Sequence, residues 1–131
     1  MSEVNQLTPY QMLGGDAVLK QLVDRFYQIM DQDPKAAEVR AMHPEDLTVS
    51  AEKLYMFLSG WMGGPDLYIE KYGHPMLRAR HMPFPIDSQG RDQWMYCMLT
   101  AMNEVPMEDA LRLQLEQAFF RTADFMRNQD A

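Results

Sequence analysis

Apolar residues return every three or four positions along most of this chain, which is the spacing of one face of an α-helix. The first clear stretch follows the paired glycines at 14–15, and we expect its helix to begin at Asp16, a residue type that favours the N-cap. Residues 31–34, which end in a proline, close this helix. Its inward positions are Leu19, Leu22, Val23, Phe26 and Met30.

A second helix is predicted from Thr48 or Ser50 to Met62, where the sequence Gly-Gly-Pro at 63–65 ends it. Its inward positions are Leu54, Phe57, Leu58 and Trp61. Residues 35–47 are expected to form short helical turns and loop, since Pro44 limits regular structure there. A looser helical patch is expected over 67–72, followed by a short turn that carries His81.

The third long helix starts near Asp87 or Ser88 and breaks over residues 103–106. Its inward positions are Trp94, Cys97, Met98, Ala101, Met102 and Val105. The last helix runs from about Met107 to Asn128, with acidic residues in its first turn and a basic residue in its last, as the helix dipole favours. Its inward positions are Leu111, Leu115, Ala118, Phe119, Thr122 and Met126.

These elements predict one all-α domain over residues 1–131, with a core from about 13 to 126 and no internal repeat or linker. The net charge of −7 disfavours nucleic-acid binding, which needs a positive surface. No apolar run is long enough to cross a membrane, and the N-terminus has no export signal. A single cysteine, Cys97, excludes an internal disulfide framework. Together these features favour a cytoplasmic protein.

The chain has three histidines, His43, His74 and His81, and none belongs to a spacing typical of zinc or di-iron sites. There is also no phosphate-binding glycine loop and no serine nucleophile elbow. Cys97 lies on a buried helix face and is expected to pack rather than react. A metal in this protein would therefore need most of its ligands from a macrocycle, as in haem, where one histidine suffices.

The stretch over residues 72–86 has the local chemistry for such a group. His81 ends a short cationic turn, Leu77 lies one turn earlier on the same face, and prolines close the turn around Phe84 and Ile86. The side chains of Arg78 and Arg80 could pair with carboxylates, because guanidinium matches their geometry. The alternative is that the two arginines form only a solvated face.

Four features, taken in order, resemble the truncated haemoglobins of the second group. They are the paired glycines at 14–15 and 63–64, the Arg-Phe-Tyr at 25–27, the segment 73–84 with its Gly-His-Pro and Arg-His-Met-Pro-Phe, and the Arg-Asp-Gln-Trp at 91–94. The resemblance covers about 13–126. It implies a two-over-two helical sandwich around haem b, with His81 as the proximal iron ligand and His74 structural or exposed.

The resemblance also implies a polar distal site. Tyr27 and Trp94 take the positions of the distal hydrogen-bond donors, although by periodicity alone both would be core aromatics. Leu54 falls at the distal position that faces the ligand, and Ser50 lies one turn earlier. His43 falls at the haem edge, where it either packs or adds a pH-sensitive polar group. The further residues expected to contact the cofactor are Phe57, Leu58, Leu77, Arg78, Arg80, Phe84, Ile86, Met98 and Met126.

These implications predict a globin that reversibly binds dioxygen and other diatomic ligands, as a monomer or weak homo-oligomer. A polar distal cage would slow ligand release, which suits redox chemistry or sensing better than bulk delivery. A separate reductase would be needed, because no flavin or nicotinamide motif is present. Two alternatives stay open at this point. One is a nitric oxide dioxygenase or peroxidase-like haem enzyme, and the other is a haem-free helical interaction module.

Overall fold

The structure is a computed structural model that describes residues 7–129, and within that range it is helical with no strand. The all-α prediction is confirmed. The helices are α1 (Pro9–Leu13), α2 (Asp16–Gln32), α3 (Ala37–Ala41), α4 (Thr48–Trp61), α5 (Leu67–Tyr72), α6 (Leu77–His81), α7 (Ser88–Asn103) and α8 (Asp109–Phe125), and a 3₁₀ turn (Pro34–Ala36) precedes α3.

Helix α2 lies at the centre of the fold and packs against α4 and α7, while α7 packs in turn against α8. The apolar faces predicted for these helices meet in one core, in which Leu19, Phe26 and Cys97 are fully buried. The four long helices form the two-over-two sandwich expected from the resemblance. Across residues 7–129, no helix is both long and apolar enough to span a membrane.

The start of α2 differs from the prediction at its cap. Gly15 is the N-cap residue, in a conformation with φ of 85° that favours glycine, and Asp16 is already helical. The carboxylate of Asp16 accepts a hydrogen bond from the hydroxyl of Tyr55 and pairs with Lys20 at 3.5 Å. The acidic residue therefore links α2 to α4 and does not cap its own helix.

Helix α1 is the element that the apolar spacing missed, because one turn and a half is too short to show a period. The limits of α1 are marked instead by the residues at its two ends. Thr8 and Gln11 form a reciprocal capping box, Pro9 opens the helix, and Gly14 closes it in the left-handed conformation. The backbone N–H of Tyr10 donates to the carbonyl of Met62 at 3.0 Å, which docks α1 onto the end of α4.

Helix α8 ends at Phe125, three residues before the predicted end. The N–H groups of Met126 and Arg127 still donate to the carbonyls of Ala123 and Asp124, and the chain then leaves the helix. The N–H groups of Asn128 and Gln129 both donate to the carbonyl of Ile86, at 2.9 and 3.1 Å. The C-terminal segment thereby runs beside the connection between α6 and α7.

Candidate functional site

A cavity of about 600 Å³ lies between α4, α6, α7 and α8, with walls that are mostly apolar. It brings together residues that lie far apart in the sequence. All the predicted site residues except two line it: Tyr27, His43, Ser50, Leu54, Phe57, Leu58, Leu77, Arg80, His81, Phe84, Ile86, Trp94 and Met126.

The two exceptions are Arg78 and Met98. The guanidinium of Arg78 donates to the main-chain carbonyls of Phe125 and Arg127, so it holds the C-terminal segment and does not line the cavity. Met98 is fully buried in the helical core beyond the cavity wall. Helical spacing places Met98 correctly on an inward face, but which inward residues reach the cavity depends on how the helices pack.

His81 is the last residue of α6, and its side chain is half-buried in the cavity wall. Its Nδ1 lies 2.6 Å from the carbonyl oxygen of Leu77, one turn earlier. Because a carbonyl only accepts, Nδ1 carries the proton in the neutral ring and Nε2 keeps a free lone pair. The backbone of α6 therefore sets the tautomer that leaves Nε2 as the nitrogen available to the cavity.

Tyr27 projects from α2 into the cavity wall and is almost fully buried. Its hydroxyl donates to the main-chain carbonyl of Ser50 at 3.3 Å, so Ser50 meets it through backbone and not through its own hydroxyl. Burial raises the pKa of Tyr27 strongly, and the phenol stays protonated at physiological pH. Its ring meets Phe26 edge-on at 4.8 Å.

His43 lies beside Tyr27, with ring centroids 5.9 Å apart and edge-on. Its Nδ1 is 2.8 Å from the carbonyl oxygen of Val39, which fixes the same tautomer as in His81. Burial lowers the pKa of His43, the hydrogen bond to the Val39 carbonyl opposes this, and the positive charge of Arg40 lowers the pKa further. The imidazole is therefore held neutral, and in that state its Nε2 accepts a hydrogen bond and does not donate one.

Arg40 fixes the loop that follows His43. Its guanidinium donates to Asp31 at 2.9 Å and to the carbonyls of Pro44 and Glu45 at 2.9 and 2.8 Å. Three partners for one planar group leave the loop little freedom.

Trp94, from α7, packs between Phe26 at 5.1 Å and Phe119 at 5.8 Å. Trp61 stacks on Phe119 as well, with ring centroids 4.8 Å apart. Both tryptophans line the cavity, and an indole N–H is a donor only. Trp61 was predicted as an inward position of α4 but not as part of the site.

Three cationic side chains line the cavity: Lys53, Arg80 and Arg91. Arg80 was predicted, and its Nε donates to the carbonyl of Pro75 at 2.7 Å. Arg91 is held by Asp92 at 2.9 Å and Asp124 at 2.7 Å, and these carboxylates raise its pKa.

Lys53 and Arg91 were not among the predicted site residues. Helical spacing gave a usable signal for Lys53, because it is three residues after Ser50 and four before Phe57, on the same face of α4.

Comparisons with known proteins agree with this geometry. Residues 8–128 match the bacterial-like globin family. The chain is 44% identical over 121 residues to the group 2 truncated hemoglobin YjbI of Bacillus subtilis, covering 92% of this chain and 89% of that protein.

Two solved structures are also similar. The group II 2-on-2 hemoglobin from Agrobacterium tumefaciens is 42% identical with a TM-score of 0.93, covering 99% of this chain and 100% of that one. The truncated oxygen-avid haemoglobin from Bacillus subtilis is 43% identical with a TM-score of 0.85, covering 93% and 100%. With the family match spanning nearly every described residue, this chain belongs to the bacterial-like globins, as a truncated haemoglobin of group II.

Proposed function

We propose that the cavity holds one haem b, that His81 Nε2 is the protein ligand of its iron, and that the protein reversibly binds dioxygen and other diatomic ligands. The observation that carries this proposal is the 2.6 Å bond between His81 Nδ1 and the carbonyl of Leu77. A histidine that ligates a metal through one nitrogen normally donates its other N–H to a carbonyl or carboxylate, which fixes the ring.

The residues of the cavity fit a haem. The cavity volume of about 600 Å³ lies within the usual range of cofactor pockets, and the cavity wall is mostly apolar, as a porphyrin face requires. Lys53 and Arg80 supply positive charge that suits the two propionates, whereas Arg91 is already paired with Asp92 and Asp124. Among residues 7–129, no three His, Cys, Asp or Glu side chains come together as a metal site, so an iron here would depend on the macrocycle for its other ligands.

When bound, haem supplies an iron with one open position at which a diatomic molecule can bind. The chain decides how tightly that molecule is held. Tyr27 and Trp94 bring hydrogen-bond donors to the cavity, and both groups stay neutral donors at physiological pH. His43 is kept neutral with its proton on Nδ1, so it contributes an acceptor next to the Tyr27 ring and becomes a donor only when it is protonated.

Hydrogen-bond donors in a buried site stabilise a ligand that carries partial negative charge. We therefore expect slow release of dioxygen, in keeping with the oxygen-avid description of the relative from Bacillus subtilis. Slow release favours ligand sensing or redox chemistry over bulk oxygen delivery. A separate reductase would return oxidised iron to the ferrous state.

The same donors favour a second candidate function. A tyrosine and a tryptophan whose donor groups line a mostly apolar cavity would also suit polarising a peroxide or orienting nitric oxide beside dioxygen, as in a peroxidase-like enzyme or a nitric oxide dioxygenase. Turnover measured with an electron donor separates this candidate from simple reversible binding.

The experiment that tests the proposal is titration of the haem-free protein with haemin, followed through the Soret band. We expect one equivalent to bind and His81→Ala to lose the ferrous spectrum of a histidine-ligated haem. His74→Ala is the matched control. His74 is exposed, and its Nδ1 accepts from the backbone N–H of Met76 at 3.0 Å, so its loss should leave the spectrum unchanged.

A wild-type protein without a Soret band would overturn the proposal and leave the helical interaction module. A His74→Ala variant that lost the ferrous spectrum, with His81→Ala unchanged, would exchange the two assignments.

A further inference from the structure

The helix that carries His81 is not stable through its own contacts. Helix α6 has five residues, none of them buried, and no side chain caps its start. Isolated helices this short do not form in water, because nucleation costs more than one turn of hydrogen bonds returns. The position of His81 must therefore be held by groups outside α6.

The side chain of Asn128 supplies such groups. Its amide N–H₂ donates to the carbonyl of Phe84 at 2.9 Å and to the carbonyl of His81 itself at 3.3 Å. Its amide oxygen accepts from the backbone N–H of Ile86 at 3.0 Å. One side chain therefore bonds three backbone groups between residues 81 and 86.

Only one orientation of this amide is consistent with its neighbours. Two carbonyls can only accept, and the N–H of Ile86 can only donate, so the nitrogen and the oxygen of Asn128 cannot exchange places. The backbone N–H of Asn128 adds a fourth bond, to the carbonyl of Ile86 at 2.9 Å. This geometry closes the segment after His81 as a fixed loop.

Other contacts hold the C-terminal segment in place for Asn128. Arg78, inside α6, donates to the carbonyls of Phe125 and Arg127, the latter at 3.0 Å. Asp124 accepts from Arg91 and from Arg127, each at 2.7 Å, which ties the end of α8 to the start of α7. The end of α8 is thus joined to both sides of the His81 turn.

We infer that Asn128 is a positioning residue for His81, which sets the orientation of the imidazole by fixing the backbone at the end of α6. The inference rests on the proposed function, since it assigns His81 as the iron ligand. Asn128 lies 47 positions after His81 in the sequence and outside the cavity wall, and it joins the groups that hold His81 in place.

The variant Asn128→Asp is the sharpest test, because it has the same shape and keeps the oxygen that accepts from Ile86. It replaces the donor group by a second oxygen that faces the carbonyls of His81 and Phe84. Asn128→Ala removes both the donor N–H₂ group and the acceptor oxygen. Gln129→Ala is the control, since the Gln129 side chain reaches the Asn128 amide oxygen at 3.3 Å and does not touch the His81 turn.

Two readouts are needed. The first is the iron–histidine stretching band of the ferrous protein by resonance Raman, together with the rate of haem loss to an acceptor globin. We expect the band to shift or broaden and haem loss to accelerate roughly tenfold in both Asn128 variants, as the loss of two hydrogen bonds in Asn128→Asp and three in Asn128→Ala allows. Gln129→Ala should match the wild type in both measurements.

The second readout is amide hydrogen exchange at Ile86 in the haem-free protein, measured by NMR. Exchange should accelerate in Asn128→Ala, which loses the acceptor, and much less in Asn128→Asp, which keeps it. A wild type that binds haem, with both Asn128 variants unchanged in the stretching band and in haem loss, would overturn the positioning role alone. A wild type that takes up no haem would overturn the proposed function and this inference together.

Discussion

Replacing Tyr27 with phenylalanine removes one hydroxyl from the cavity and leaves the ring in place. The ring keeps its edge-on contacts with Phe26 at 4.8 Å and His43 at 5.9 Å. The lost hydrogen bond, to the carbonyl of Ser50, is 3.3 Å long, whereas hydroxyl bonds are usually about 2.7–2.8 Å. Ser50 lies in the first turn of α4, so its carbonyl keeps its place in the helix. We expect the free energy of unfolding to fall by about 0.5–1 kcal/mol.

The effect on ligand release should be larger than the effect on stability. A hydrogen bond to a charged partner contributes about 1.5–3 kcal/mol, and burial keeps the Tyr27 phenol protonated as a donor. Its present bond to Ser50 is long, so turning the hydroxyl toward a ligand costs little. Loss of this donor should therefore raise the oxygen dissociation rate roughly tenfold to a hundredfold.

The assay is stopped-flow displacement of oxygen, with urea unfolding of the same preparations. Tyr55→Phe is the matched control, because it removes a hydroxyl that bonds Asp16 and lies outside the cavity wall. It should leave the dissociation rate at the wild-type value. An unchanged rate in Tyr27→Phe would contradict the reasoning, and so would equal acceleration in the two variants.

Three further predictions follow from the same structure. Trp94→Leu should also raise the oxygen dissociation rate, and combined with Tyr27→Phe it should show whether the two donors act independently. His43 has its pKa lowered below 6.5 by burial, so the unfolded chain binds its proton first and stability falls as the pH drops below 6.5. The free energy of unfolding, measured with urea from pH 7 to 5, should fall less steeply with pH in His43→Phe than in wild type, by at most about 1.4 kcal/mol per pH unit. An equal dependence on pH in the two proteins would refute this. In Gly64→Ala the new Cβ would lie 2.6 Å from the Tyr10 ring, and the unfolding free energy should fall by about 1–3 kcal/mol. Tyr10→Ala in that background should remove most of the added cost, and additive losses would contradict the clash.

Much of the fold could be predicted because its signal is local. The apolar period of 3.6 residues marks α2, α4 and α7 within a residue of their observed ends, and Gly or Pro punctuates them. The same signal fails for α1, which is too short to repeat. It also fails at the end of α8, where Asn128 and Gln129 leave the helix for a partner more than forty residues earlier.

For the site, the sequence by itself determined which helix faces point inward. It also singled out His81, through the small number of histidines and the family resemblance. These features depend only on residue type and on spacing along one chain. Tertiary structure decided which residues reach the cavity: Lys53, Trp61 and Arg91 line it, and Arg78 and Met98 do not. It also decided that the His43 ring meets the Tyr27 ring edge-on with its proton held on Nδ1, and that the segment after α8 holds the His81 turn. Periodicity fixes the direction of a side chain relative to its own helix, whereas contacts between distant residues depend on the angles at which helices pack.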